Sequence, residues 1–147
     1  MTADALAVTT LIIAPEPGSG EYIEDLTGIE GFINLESLTV NFTNIGELNV
    51  STLVNLKYLD CVDNGLTSLD VSSNPLLEYL DITSAGDVGY LNNISEIDLS
   101  NNPNIKTLTA YGGIDRINLK NGNNNPDMSI NINAFYIEGP EPEEHTV

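Results

Sequence analysis

The residues with the most chemistry to offer are two carboxylate pairs, Asp60 with Asp81 and Asp70 with Asp98, and a tyrosine pair, Tyr58 with Tyr79. Paired carboxylates cleave glycosides when one serves as general acid and the other as base or nucleophile. They are also hard oxygen ligands of the kind Ca²⁺ gathers six to eight at a time. The stretch Asp60-Cys61-Val62-Asp63-Asn64-Gly65 has a superficial EF-hand look, yet Val62 stands where a ligand is needed. Other catalytic chemistry has little to work with. The single histidine, His145, lies in an acidic, proline-rich tail, Glu138-Gly139-Pro140-Glu141-Pro142-Glu143-Glu144. The single cysteine, Cys61, allows no internal disulfide. There is no His/Cys set with zinc spacing, no P-loop and no GxGxxG fingerprint. We therefore expect no enzyme, no catalytic residues, no metal site and no cofactor.

The pairs exist because the sequence repeats. Leu35-Glu36-Ser37-Leu38-Thr39-Val40 recurs as Leu56-Lys57-Tyr58-Leu59-Asp60-Cys61 and as Leu77-Glu78-Tyr79-Leu80-Asp81-Ile82, at offsets of 21 residues. A second copy of LxxLxV lies inside each period: Leu66-Thr67-Ser68-Leu69-Asp70-Val71, Ile94 to Leu99, and Ile114 to Leu119. Ile45, Leu48 and Val50 fill the same places one turn earlier, and Asn-Pro closes turns at Asn74-Pro75, Asn102-Pro103 and Asn125-Pro126. Each acidic pair is thus one repeat position seen twice, which accounts for it without catalysis.

The second Leu and the Val of LxxLxV sit two apart and point to one side of a strand. One turn alone cannot bury that ledge. Stacked turns pair strand to strand in parallel and close a continuous core. The pattern predicts a mainly β solenoid of about five turns, with parallel strands on two sides and little helix. The repeats run approximately 8–34, 35–55, 56–76, 77–104 and 105–126, with 127–147 as cap or tail of a single domain. Asn64, Asn74 and Asn102 should satisfy backbone groups at the bends, and Gly65 should ease one. Cys61 falls on a core position. Two insertions interrupt the period, one around Pro15-Glu16-Pro17-Gly18-Ser19-Gly20 and one from Gly86 to Asn93. The second either forms a lip that exposes Tyr90 and Leu91 or packs over the solenoid side.

Outward positions alternate with core positions. The first strand column presents Ser37, Thr39 and Asn41, then Tyr58, Asp60 and Val62, then Tyr79, Asp81 and Thr83, then Thr107, Thr109 and Tyr111. From it we take Tyr58, Asp60, Tyr79, Asp81, Thr83, Thr107, Thr109 and Tyr111 as the candidate ligand-binding face. An aromatic pair beside carboxylates suits a protein hot spot or sugar rings. Tyrosine is also simply at home on strand surfaces. Like charges in adjacent turns need an offset, either hydrogen bonds from Ser72, Ser100 and Thr83 or a cation.

The formal charge is −18, from 22 acidic residues against 4 Lys and Arg. Nucleic acid and anionic membrane surfaces are poor partners for such a chain. No apolar run approaches the roughly 20 residues of a membrane span. No basic residue precedes Asp4 to Ile13 and Asp4 carries the wrong sign for an n-region, so the stretch does not read as a signal peptide; if the protein is exported, its signal is expected to lie outside this chain.

The pattern LxxLxCxxNxLxxLDVSxNPxL, clearest from Leu56 to Pro75, resembles the 21-residue nested leucine-rich repeats (IRREKO type) of Bacteroidetes surface and secreted proteins. The resemblance runs from about Val8 to Asn125, most of the chain. Asp25 to Leu35 is similar to an opening turn of such arrays, and Leu119 to Asn125 to a closing one. It implies a bacterial extracellular or cell-surface location and a binding scaffold for an unknown protein or glycan. A protein-recognition or adhesion module is one expectation, and a structural spacer or glycan-binding accessory of a larger exported protein is the alternative. The resembling arrays often carry a helical cap and a C-terminal sorting domain. Without them we expect a piece of a longer chain, or Met1 to Ala7 as a minimal cap. An uncapped end would favour end-to-end self-association.

Overall fold

The computed structural model describes residues 5–15, 23–85, 90–123, 127–132 and 136–138. Five parts of the sequence reading lie wholly or partly outside them: residues 1–4 of the N-terminal cap, the insertion after Pro15, residues 86–89 of the second insertion, Asn125-Pro126, and the tail after Glu138 with His145. Nine strands are described, with 3-10 turns at Ala5–Ala7 and Ile29–Gly31. They are β1 (Thr10–Ile13), β2 (Ser37–Val40), β3 (Tyr58–Asp60), β4 (Tyr79–Asp81), β5 (Glu96–Asp98), β6 (Thr107–Ala110), β7 (Arg116–Asn118), β8 (Ser129–Ile132) and β9 (Tyr136–Glu138).

The first LxxLxV copies build one parallel sheet in the order β1-β2-β3-β4-β6-β8. Its register is one residue type deep in the core: Leu11, Leu38, Leu59, Leu80, Leu108 and Ile130 stand opposite one another in successive strands. The next inward column is Val40, Cys61, Ile82 and Ala110, all buried. The opening leucines Leu35, Leu56 and Leu77 and Ile105 enter from the bends and are fully buried. Only at the ends is the ledge thinner: Leu11, Ile13, Ile130 and Ile132 are half-buried, and Ile12 is 69% exposed.

The second side is less regular than the first. Leu48, Val50, Leu66, Leu69 and Val71 keep their buried positions. Their backbones nevertheless form no strand, and the described second sheet is β5-β7-β9 alone. Where strands do pair, two cross-strand contacts are complementary. Glu96 stands opposite Arg116, and Asp98 opposite Asn118, whose amide donates to its carboxylate at 3.1 Å. Between the second and third turns Glu47, Asn49, Ser68 and Asp70 are joined by no ladder and line a cleft of about 270 Å³.

The ladders continue past the fifth predicted turn. Residues read from the sequence as cap or tail carry β8, which pairs with β6, and β9, which pairs with β7. Ile130 and Ile132 supply the apolar alternation there without the leucines that mark the other turns.

Buried asparagines bind turn to turn. The Asn64 carboxamide accepts from the Thr43 N–H and hydroxyl, at 3.2 and 2.6 Å, and donates to the Val40 carbonyl. Asn74 donates to the carbonyls of Val50 and Leu53, at 3.0 and 2.8 Å. Asn102 repeats this on Val71 and Asn74, at 2.9 Å each. These bonds satisfy backbone groups that the bends leave without ladder partners. The described part of the second insertion, Tyr90 to Asn93, joins the same scheme and packs over the solenoid side. The Tyr90 carbonyl accepts from the Gly65 N–H at 2.7 Å, and Tyr90 is half-buried. Asn92 is buried, while Leu91, at 46% exposure, and Asn93 stand out. The bend after the first sheet uses the left-handed region at Phe42, Asp63 and Gly112. Gly112 is required there twice over, by its φ of 89° and because a Cβ would fall 2.6 Å from that of Ser84.

Candidate functional site

Parallel pairing brings the tyrosines and aspartates into one block on the outer face of the first sheet. Tyr58 stands opposite Tyr79 and Asp60 opposite Asp81. The rings stack with centroids 4.3 Å apart and planes 8° from parallel. Ser37 and Thr39 flank the block on β2, and Thr107 and Thr109 flank it on β6. Thr83 lies just past the end of β4 and Tyr111 just past the end of β6. All eight candidate residues thus fall on one face. Seven are half-buried by their neighbours, and Tyr111 is 46% exposed.

The carboxylates are not equivalent. Wherever the repeat places Asp or Asn two residues before the end of a turn, its side chain takes the N–H two residues on. Ser72 donates to Asp70 at 2.9 Å, Ser100 to Asp98 at 2.8 Å, and Thr83 to Asp81 at 2.9 Å. These Asx turns supply the offset that the acidic ladders need. The side-chain and backbone hydrogen bonds of Ser72 hold Asp70 below the usual carboxylate range. Those of Ser100, backbone first, do the same for Asp98.

Asp60 breaks the rule. The N–H of Val62, which should serve it, donates instead at 2.8 Å to the side chain of Asn41 in the preceding turn. One Asp60 oxygen, Oδ1, is left buried without a hydrogen-bond partner. Burial pushes the Asp60 carboxyl up and the neighbouring Asp81 adds to the rise, against hydrogen bonds from the Asn41 side chain, the Val62 N–H (shared with Asn41) and the Tyr58 hydroxyl. Asn41 is the contributor that the candidate list omits. Its place 21 residues before Val62 is the signal that marks it.

The linkage has a definite sign. A carboxyl raised in the fold destabilises it above the folded pKa, and the cost disappears as pH falls toward the unfolded value. Asp60→Asn is therefore expected to raise the melting temperature at pH 7, with a gain that shrinks through the carboxylate range. Thermal unfolding of both proteins from pH 7 to pH 3 checks this, and a lower melting temperature at neutral pH would count against it.

Burial, and then Asp60, raises Tyr58; burial, and then Asp81, raises Tyr79, so both phenols stay protonated at neutral pH. Burial pushes the Cys61 thiol well above its ordinary range, and its Sγ lies 3.4 Å from the Asp81 carbonyl. That is a core thiol rather than a nucleophile. The EF-hand-like stretch is split by the fold. Asp60 faces outward, while Asp63 and Asn64 are fully buried, with Asp63 accepting from the Ala85 N–H at 2.9 Å. Among the described residues no three His, Cys, Asp or Glu side chains are grouped to hold a metal ion.

No described cation lies on this face. Lys57 and Lys106 sit one residue before the strands and bridge turns to Glu36 and Glu78, at 2.9 and 2.6 Å. Both pairs are solvent-exposed, where screening by water leaves them little weight in stability.

No family model matches this chain, and no curated protein matches it. Among solved structures it is similar to the functional domain of InlJ from Listeria monocytogenes, which is described as including a cysteine ladder. The identity is 24% and the TM-score 0.51, over 80% of this chain and 31% of the InlJ chain. The present chain carries one cysteine in its inner column, Cys61, between Val40 and Ile82. The strand order, the repeating core and that likeness together identify the fold as a leucine-rich-repeat solenoid.

Proposed function

We propose that this chain is a non-catalytic recognition module of a bacterial exported or cell-surface protein, engaging a protein partner across the outer face of the first sheet. The observation that carries this reading is the Tyr58–Tyr79 stack, held in register by β3 and β4 on an open face beside Asp60 and Asp81. Stacked rings offer area already ordered, so little side-chain entropy remains to be lost on binding. The repeat pattern adds support through its resemblance to the nested 21-residue arrays of Bacteroidetes surface proteins. A protein fits the stack better than a sugar does. Each ring spends one face on the other, whereas a sugar platform needs an open aromatic face.

The test is a paired screen of the protein and its Tyr58→Ala/Tyr79→Ala variant against arrayed proteins and glycans. A protein hit weakened at least tenfold in the variant is the expected outcome, about 1.4 kcal/mol or more at a hot spot. A glycan hit with the same loss would move the function to a carbohydrate-binding accessory. Circular dichroism must show both proteins folded. Ligands indifferent to the two tyrosines would overturn the assignment of the face and favour a structural spacer.

A further inference from the structure

Two Asn-Gly pairs occur in the sequence, Asn64-Gly65 and Asn121-Gly122. Asparagine is among the thermolabile residues, and a following glycine makes it more so. With no Cβ, glycine neither shields its own backbone nitrogen nor restricts how that nitrogen approaches the preceding carboxamide. The nitrogen can attack the asparagine Cγ, closing a cyclic imide and expelling ammonia. The fold decides whether it does so, through the freedom of that N–H, the room to turn and the access of water.

The two pairs differ on each count. Asn64 is fully buried. The Gly65 nitrogen is committed, its N–H donating to the Tyr90 carbonyl at 2.7 Å. The Asn64 carboxamide is held at both ends, by Thr43 on Oδ1 and by the Val40 carbonyl on Nδ2. By contrast Asn121 is half-buried and Gly122 exposed. Among the described residues nothing accepts from the Gly122 N–H. A Cβ placed on Gly122 would meet no atom within 4 Å, so the bend has room to turn. Asn121 Oδ1 accepts the Asn123 N–H at 2.9 Å, a donor on the oxygen that becomes negative during attack. Its Nδ2 is held by the Asn102 carbonyl at 3.1 Å. Both carboxamide oxygens thus have donors, and what separates the pairs is the nucleophile and the water.

We propose that Asn121-Gly122 is a site of covalent self-modification, converting Asn121 to isoaspartate and aspartate, and that the fold shelters Asn64-Gly65 from the same fate. The Gly122 nitrogen gives up its proton to solvent base and bonds to Asn121 Cγ. The Cγ–Nδ2 bond breaks, and Nδ2 leaves as ammonia. Water then opens the imide at one carbonyl or the other, giving isoaspartate or aspartate. Water is consumed and ammonia released, with no oxidant or reductant. Each conversion adds a negative charge to a chain already at −18. It also removes the donor that serves the Asn102 carbonyl. The isoaspartate form lengthens the main chain by a methylene in the bend between β7 and β8. The last turns are thereby loosened, while the Tyr58–Tyr79 block three strands away in the same sheet is untouched.

The test incubates the whole chain in mildly alkaline buffer, folded and in guanidinium chloride, and follows both pairs by peptide mapping with mass spectrometry. In the folded chain Asn121 is expected to convert at least tenfold faster than Asn64, with isoaspartate exceeding aspartate. In denaturant the two should react within about twofold of each other, because each is then Asn-Gly in an open chain. Gly122→Ala should slow Asn121 several-fold in denaturant, where the left-handed φ of 71° no longer strains the alanine. Hydrogen exchange of converted protein should rise at Ser129 to Ile132 and stay unchanged at Tyr58 to Asp60. Asn64 converting as fast as Asn121 in the folded chain would overturn the proposal. So would an Asn121 no faster than Asn55 or Asn104, which precede Leu56 and Ile105. A tenfold contrast that persists in denaturant would place the difference in local sequence and overturn the sheltering by the fold. Unaltered exchange at β8 after conversion would overturn the loosening of the last turns and leave the modification standing.

Discussion

Replacing Asn92 by alanine is expected to cost the fold about 3 kcal/mol or more, although Asn92 lies in an insertion and belongs to no strand. The side chain is 3% exposed and completes three backbone groups in the preceding turn. Its Oδ1 accepts from the N–H groups of Asn64 and Leu66, both at 3.1 Å, and its Nδ2 donates to the Cys61 carbonyl at 2.7 Å. Alanine leaves all three in a buried bend, each at about 1–3 kcal/mol unless water enters. Denaturant unfolding at pH 7 measures the loss. Asn93→Ala, at the exposed neighbour, should stay within about 0.5 kcal/mol of the parent protein. Asn92→Asp should be as damaging at neutral pH, since a carboxylate cannot donate to Cys61, and should recover in part on acidification. A loss below about 1 kcal/mol for alanine would show that water replaces the carboxamide, and the insertion would then be an ornament rather than a clamp.

Leu59→Ala should do comparable damage by another route. Leu59 is fully buried and stands between Leu38 and Leu80 in the inner ladder. Removing it deletes transfer free energy and leaves a cavity, at about 3 kcal/mol within a usual range of 2–5. The position matters as much as the residue. Stability in a solenoid is a sum over turns and their interfaces, so a breach at β3 weakens the coupling of the turns on either side. Ile130→Ala, at half-buried β8, should cost clearly less. Equal losses at Leu59 and Ile130 would mean that core density is uniform to the last described strand, contrary to the burial gradient.

Both predictions show how far the sequence could be read. The spacing of Leu35, Leu56 and Leu77 dictates a stacked parallel sheet, because no other arrangement buries a ledge that returns every 21 residues. Alternation within each strand places Tyr58, Asp60, Tyr79 and Asp81 outward without any coordinates. Asn64, Asn74 and Asn102 are legible as bend residues for the same reason, and Cys61 as core.

The roles of Asn92 and Asn41 are not legible in that way. Asn92 falls inside an insertion, where the period gives no position for comparison, and only the path of the chain returns it to the Asn64 bend. The pairing of the second side also escaped the pattern. Buried positions recur there from turn to turn, but a strand needs a neighbour at ladder distance. That depends on how the turns stack rather than on any one of them.

The sequence by itself determined the repeat, the solenoid, the inward ledge and the identity of the outward columns, because periodicity is a local property of the chain. Tertiary structure alone decided which acceptor receives which donor. The N–H of Val62 has both Asp60 and Asn41 within its reach, and only the packing of two turns against each other sends it to Asn41. One Asp60 oxygen is thereby left buried without a donor, whereas Asp81 beside it on the same face is bonded on both.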